Sequence, residues 1–144
     1  MEKKVINYFV DCIKKNKTRI LIEKDNKYYI SDGACVFIVD KNKMVLNPKL
    51  FEANSKKSQI IMDNIKKDSY RELLLKYYIP IRELVYHKYI CEDFAIYLDE
   101  NYIKLFGRFD KVEGIDSNSL VRISIKGHII GYLLPVRTSE NFKY

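Results

Sequence analysis

Three short β-prone runs follow one another almost without pause near the start of the chain: RILIE at 19–23, KYYIS at 27–31 and ACVFIVD at 34–40. Links this short join only neighbouring antiparallel strands, because a parallel return needs a crossover of about a dozen residues. The first link is Lys24-Asp25-Asn26. The second is Asp32-Gly33, whose glycine can take the positive φ a tight turn requires. The segment therefore predicts a β-meander. The polar group Lys41-Asn42-Lys43 then turns the chain into MVLN at 44–47, a further short strand closed by Pro48.

On either side of the meander the apolar period changes. From Lys3 to Lys15, Val5, Ile6, Phe9, Val10 and Ile13 recur at helical spacing, with Lys4, Asn7, Asp11, Lys14 and Lys15 opposite. Between Asn54 and Ile79 a helical period returns in Ile60, Ile61, Met62 and Ile65, then in Leu73, Leu74 and Tyr77. Asn54 or Ser55 serves as its cap, Lys67-Asp68-Ser69 as a break, and Pro80 as its stop. Beyond Pro80, ELVYHKYI is read as a strand. FAIYLD and YIKLFG are read as a hairpin about Glu100-Asn101, and LVRISI and IIGYLLPV as another about Lys126-Gly127-His128.

The pattern predicts an α+β fold with antiparallel sheet and two to three helices on one face. Residues 1–137 form a single domain and 138–144 a polar tail. With 144 residues, 47% hydrophobic and 31% charged, the chain has the composition of a globule with a packed core. No apolar run approaches the roughly 20 residues of a membrane-spanning helix, and the start of the chain lacks the pattern of a cleaved leader. A cytoplasmic protein without membrane association is expected. Cys12, Cys35 and Cys91 are odd in number, widely spaced and set among apolar neighbours, as free thiols in a reducing compartment are.

The search for chemistry finds no phosphate-cradling glycine loop, dinucleotide fingerprint, nucleophile elbow or Cys-x-x-Cys pair. His87 and Cys91 would share a face only if their segment were helical, and no third ligand lies near them. His128 falls in a turn. Asp32, Asp40, Glu92, Asp93, Asp99 and Glu100 gather near strand ends, without a spacing that forces any two together. The expectation is a protein without catalysis, metal or cofactor. Tyr28-Tyr29 and Tyr77-Tyr78 lie in periodic apolar segments and fit core or interface packing better than stacking on nucleic acid.

The basic residues are more telling. The net charge is +7, which suits a polyanionic partner, although the abundance of Lys, Ile, Asn and Tyr is also what an AT-rich genome imposes. Lys3, Lys4, Lys14, Lys15 and Lys17 decorate the first helix, and Lys56, Lys57, Lys66 and Lys67 the second. Two helices with lysine at both ends, side by side on a sheet, would make a positive strip that follows a phosphate backbone without reading sequence.

The order helix, three short strands with Asp-Gly, a strand ending in Pro, a helix and further strands resembles one domain of a bacterial-type DNA sliding clamp. The residues that carry the resemblance are Ser31-Asp32-Gly33-Ala34-Cys35-Val36, Val45-Leu46-Asn47-Pro48-Lys49-Leu50 and the ending Gly131-Tyr132-Leu133-Leu134-Pro135-Val136-Arg137. The chain departs from that family in having Cys35-Val36 where an Arg normally follows, in lacking a strand before the first helix, and in its segment from Ser69 to Ile79. The resemblance implies a clamp-like accessory or interaction module on nucleic acid, duplex DNA first, in which helices face DNA and the protein associates with copies of itself. A rival expectation from another class is a small bacteriophage inhibitor that binds and blocks a host defence protein, such as a CRISPR-type effector, or a replication protein.

Overall fold

The computed structural model describes residues 1–53 and 55–137. Among these the chain is α+β, with three α-helices and ten strands. The span read above as one domain falls into two compact units, Met1–Lys67 and Asp68–Tyr144. The tail 138–144 lies outside the described residues.

The first unit holds α1 (Lys3–Lys14), β1 (Ile20–Lys24), β2 (Lys27–Ser31), β3 (Cys35–Asp40), β4 (Glu52–Ala53) and α2 (Lys56–Ile65). The meander forms as the short links require. Asp25 and Asn26 both take positive φ, at 52° and 61°, which matches the hairpin turn to the right-handed twist of the strands. At the next turn Gly33 sits at φ 100°, and Asp32 Oδ1 accepts the N–H groups of Ala34 and Cys35 at 2.8 and 2.9 Å. Its carboxylate thereby replaces the ladder bonds that the turn gives up.

Register places Leu21 beside Ile30 and Ile30 beside Phe37 on one sheet face. Phe9 of α1 is fully buried there, with its ring edge-on to Phe37 at 6.1 Å and tilted against Phe51 at 5.7 Å. Phe51 leads into β4, which pairs parallel with β1 through Ile20 and Glu52. α2 packs against β1 and buries Ile61 and Ile65, while Ile60, expected on the same apolar face, is 62% exposed.

The strand expected at 44–47 does not form. Two short 3-10 turns, Lys41–Lys43 and Pro48–Leu50, bracket an irregular stretch instead. Asn47 explains the second: its side chain accepts the N–H of Lys49 at 3.0 Å, and Pro48 occupies the first helical position. This local turn competes successfully with a strand. At the start of α2, Ser55 is the cap and accepts the N–H of Ser58 at 3.2 Å. The alternative cap, Asn54, lies outside the described residues.

The second unit holds β5 (Arg71–Ile81), β6 (Leu84–Ile90), β7 (Ala95–Asp99), α3 (Glu100–Phe106), β8 (Lys111–Gly114), β9 (Val121–Ile125) and β10 (His128–Leu133). Its strands are antiparallel in the order β10-β9-β8-β5-β6-β7. Two expectations are corrected here. The helical period from Leu73 to Tyr77 belongs to a strand: Ser69, at φ 71°, ends the helical path, and the turn at Arg82 and Glu83 folds β5 onto β6. Pro80 is tolerated because it lies in a strand with one open side. The second correction concerns YIKLFG, which is helix α3 and not half of a hairpin. Asp99 caps it by accepting the N–H of Asn101 at 2.9 Å, Ile103 and Phe106 are buried, and Gly107 ends it at φ 67°. The other hairpin forms as expected, with Lys126 and Gly127 at φ 50° and 79° and His128 opening β10.

Removing the Phe9 ring leaves a cavity between helix and sheet. Phe9→Ala should cost about 3 to 5 kcal/mol in urea unfolding, whereas Ile60→Ala should change stability by less than about 0.5 kcal/mol. Equal effects of the two would contradict the packing described for α1 and α2.

Candidate nucleic-acid interface

All nine lysines singled out in the sequence belong to the first unit and all are exposed. Their placement follows from helix geometry. α1 spans 12 residues, about 18 Å at 1.5 Å per residue, with Lys3 and Lys4 in its first turn and Lys14 in its last. Lys15 is the C-cap and Lys17 follows. By helical spacing Lys3, Asn7 and Lys14 lie opposite the buried side chains of Val5, Phe9 and Cys12. Asp11, on that outer side, is held by Lys15 at 3.1 Å.

In α2, Lys56 and Lys57 are the first two helical residues, Lys66 is the C-cap and Lys67 follows. Neither helix has an acidic residue in its first turn, so each pair of N-terminal lysines adds to the positive end of a helix dipole. Both helices lie on the sheet face of Leu21 and Phe37. Phe9 touches Phe37 there, while Leu21, Glu23 and Tyr28 line one side of a groove of about 730 Å³ whose other side is Ser58, Gln59 and Met62 of α2.

The charge divides unevenly between the two units. Met1–Lys67 contains 15 Lys and Arg against 8 Asp and Glu, and Asp68–Tyr144 contains 11 against 11. The whole net charge of +7 therefore belongs to the helix-bearing first unit, and the second is neutral. A compositional bias spread evenly along the chain does not produce that division.

Several of the remaining candidates have structural partners. His87 is buried in β6, stacks edge-on against Tyr78 at 4.5 Å and donates from Nε2 to Glu100 Oε1 at 3.2 Å. Cys91 lies beyond the end of β6 and is half-buried, so the pair does not share a helix face. His128 is exposed at the start of β10. Among the acids, Asp40 meets Lys27 and Lys43, Asp93 meets Arg71, and Asp99 caps α3. Groups of three or more His, Cys, Asp or Glu placed to hold a metal do not occur among the described residues.

Asp32 is a heavily used carboxylate. Besides its turn amides it accepts from Tyr8 of α1 and from Cys35 Sγ, the latter at 3.3 Å. Burial pushes the Cys35 thiol well above its ordinary value, and the neighbouring Asp32 charge pushes the same way. Burial also raises Cys12, against a hydrogen bond with Tyr8. Neither thiol is activated as a nucleophile or metal ligand. In the groove beside α2, Ser58 Oγ donates to the Ser55 carbonyl at 2.7 Å and Glu23 pairs with Lys41, so the polar groups there serve the fold. Among the described residues no helix is long and apolar enough to cross a membrane.

Compared with models of protein families, with curated proteins and with solved structures, the chain matches none.

The hydrogen bond from His87 holds Glu100 below its ordinary value of 4.5, against a smaller opposing effect of desolvation and with help from Lys104. A depressed carboxylate stabilises the fold above its unfolded pKa and loses that contribution as pH falls through its folded value. The stability difference between the native chain and Glu100→Gln should accordingly be constant above about pH 6 and shrink below about pH 4.5. Urea midpoints measured across that range check it, and a difference independent of pH would contradict the pairing. In the same folded state, Cys12 and Cys35 should resist a thiol reagent that labels Cys91.

Proposed function

We propose that the chain is a non-catalytic module that holds nucleic acid, duplex DNA first, by its phosphates. The contacts are made by the lysine-bearing helices α1 and α2 of Met1–Lys67. The single observation that carries this reading is the confinement of the +7 net charge to that unit. Phosphate contacts of this kind position a protein on a duplex without reading its bases, which suits an accessory role in the cytoplasm. The resemblance to a sliding-clamp domain supports the same reading and adds self-association to it. The fold class is compatible with such a domain.

A second reading has its own observation. In the neutral second unit, Leu74 and Tyr78 are 65% and 57% exposed on one strand, an apolar display typical of a protein-binding surface. On that reading the chain is an inhibitor that covers a host defence or replication protein. Salt separates the two, because phosphate binding weakens steeply with ionic strength and an aromatic-rich protein interface does not.

Fluorescence anisotropy with a short labelled duplex tests the first reading. The logarithm of affinity against the logarithm of salt should fall with a slope of about −0.9 for each phosphate neutralised. Reversing Lys14, Lys15, Lys56 and Lys57 to Glu should make that slope shallower by about three to four and weaken binding at low salt by at least about a hundredfold. Unchanged affinity in the fourfold variant would end the proposal.

A further inference from the structure

The groove beside α2 lies wholly within the first unit, and its volume of about 730 Å³ is that of a small-ligand site, about 300–1,000 Å³. Its apolar lining comes from Leu21 and Phe51, both buried, and from Met62 of α2. On the sheet side the lining ends in Glu23 and Tyr28, which stand opposite each other in the β1–β2 register. On the other side Ser58, Gln59 and Met62 continue from the cap Ser55 at helical spacing.

Some polar groups of the groove are committed to the fold and others are not, and the division says what the groove takes. Glu23, the acid in its lining, is paired with Lys41, and Ser58 gives its hydroxyl to the Ser55 carbonyl. Lys49, the cation in the lining, has no acidic partner among the described residues. Nor have Lys56 and Lys57, which follow directly on Ser55. The unanswered charge around the groove is therefore positive. An apolar lining beside unanswered cations suits a ligand with a flat apolar body and an anionic group.

Tyr28 adds the shape of that body. Lys41, besides holding Glu23, stands with Nζ 5.6 Å from the centroid of the Tyr28 ring, so a half-buried aromatic ring is held at the rim. Such a ring is a stacking platform for a nucleobase, whatever its identity, because every base has a π-face. An extended peptide fits less well. Its affinity would come from joining a sheet edge, and β4 already pairs with β1 at Ile20 and Leu21. Bases inside a continuous duplex are stacked on one another, so the base that can enter is an unpaired one.

We propose that the groove between α2 and the β1–β2 hairpin takes the base of an unpaired nucleotide, stacked on Tyr28, while the phosphate of that nucleotide lies on Lys49, Lys56 and Lys57. The proposal rests on the phosphate-binding reading of the lysine helices and deepens it: the chain prefers strand ends and gaps to continuous duplex.

Two probes that share a phosphate and differ in the base test it. Adenosine monophosphate and ribose 5-phosphate are titrated into the whole protein and followed by backbone amide shifts. Adenosine monophosphate should bind at least about fivefold more tightly and should move the amides of Ser58, Gln59 and Met62. Tyr28→Leu should bring the ratio of the two affinities close to one. Ala53→Leu, at an exposed position that lines the groove, should do the same by filling it, with the melting curve of the native chain. In the anisotropy assay, a labelled duplex with an adenine overhang should likewise bind at least about fivefold more tightly than one whose overhang is abasic. Equal affinity for base-bearing and abasic probes, or a preference that survives both variants, would overturn the proposal. So would a peptide that moves the same three amides when the nucleotide does not. If duplex binding persists without any preference for the base, the groove assignment alone falls; if neither phosphate probe nor duplex binds, the phosphate reading falls and this proposal with it.

Discussion

What α1 presents to its surroundings depends on how one aromatic side chain is seated. Phe9 lies under α1 with Phe37 of the sheet on one side and Phe51 on another. That contact fixes the rotation of the helix about its own axis. With Phe9, Val5 and Cys12 turned inward, helical periodicity leaves Lys3, Asn7 and Lys14 nowhere to point but outward. The same ring ties α1 to the segment that carries the chain into β4 and on to α2. A dispersive contact between three rings thus orients a set of point charges some distance away, although neither interaction contributes energy to the other.

The two units divide the chemical work. One holds the whole net charge, and the other, electrically neutral, displays apolar side chains along a strand. Long-range attraction falls with salt and is indifferent to sequence, whereas short-range apolar complementarity is insensitive to salt and selective for shape. A chain carrying both on different units can answer two partners by separate physical rules. The charge division was open to view in the numbering all along, yet it becomes meaningful only once the break at Lys67 and Asp68 is known.

Local signals in the sequence were legible where short-range chemistry decided the outcome. The meander from β1 to β3 followed from link length, the β9–β10 hairpin from Lys126-Gly127, and α1 from its apolar period. The misreadings had different causes. Residues 71–79 place Leu73, Leu74 and Tyr77 at helical intervals by coincidence, and pairing with β6 overrode that pattern. At 100–106 the sequence does hold the signal: an aspartate cap at Asp99, a stop at Gly107 and Ile103 with Phe106 between them describe a short helix. At 44–47 the side chain of Asn47 turned the chain where β-propensity alone suggested a strand. The nine lysines were found on the surface as expected, which a surface-seeking residue makes easy. The outward Ile60 near the lysines of α2 required coordinates.

The first turn of α2 places two cations against the positive end of a helix dipole, relieved locally by the Ser55 hydroxyl and by no acidic side chain. Such an arrangement is electrostatically frustrated in the unliganded protein. On the proposed reading, a phosphate docking at that end would remove the mismatch and stabilise the turn that holds it, so that the helix terminus and its ligand would share one free-energy balance. In thermodynamic language, the free protein would then hold part of that binding energy as a deficit in the cohesion of its own helix.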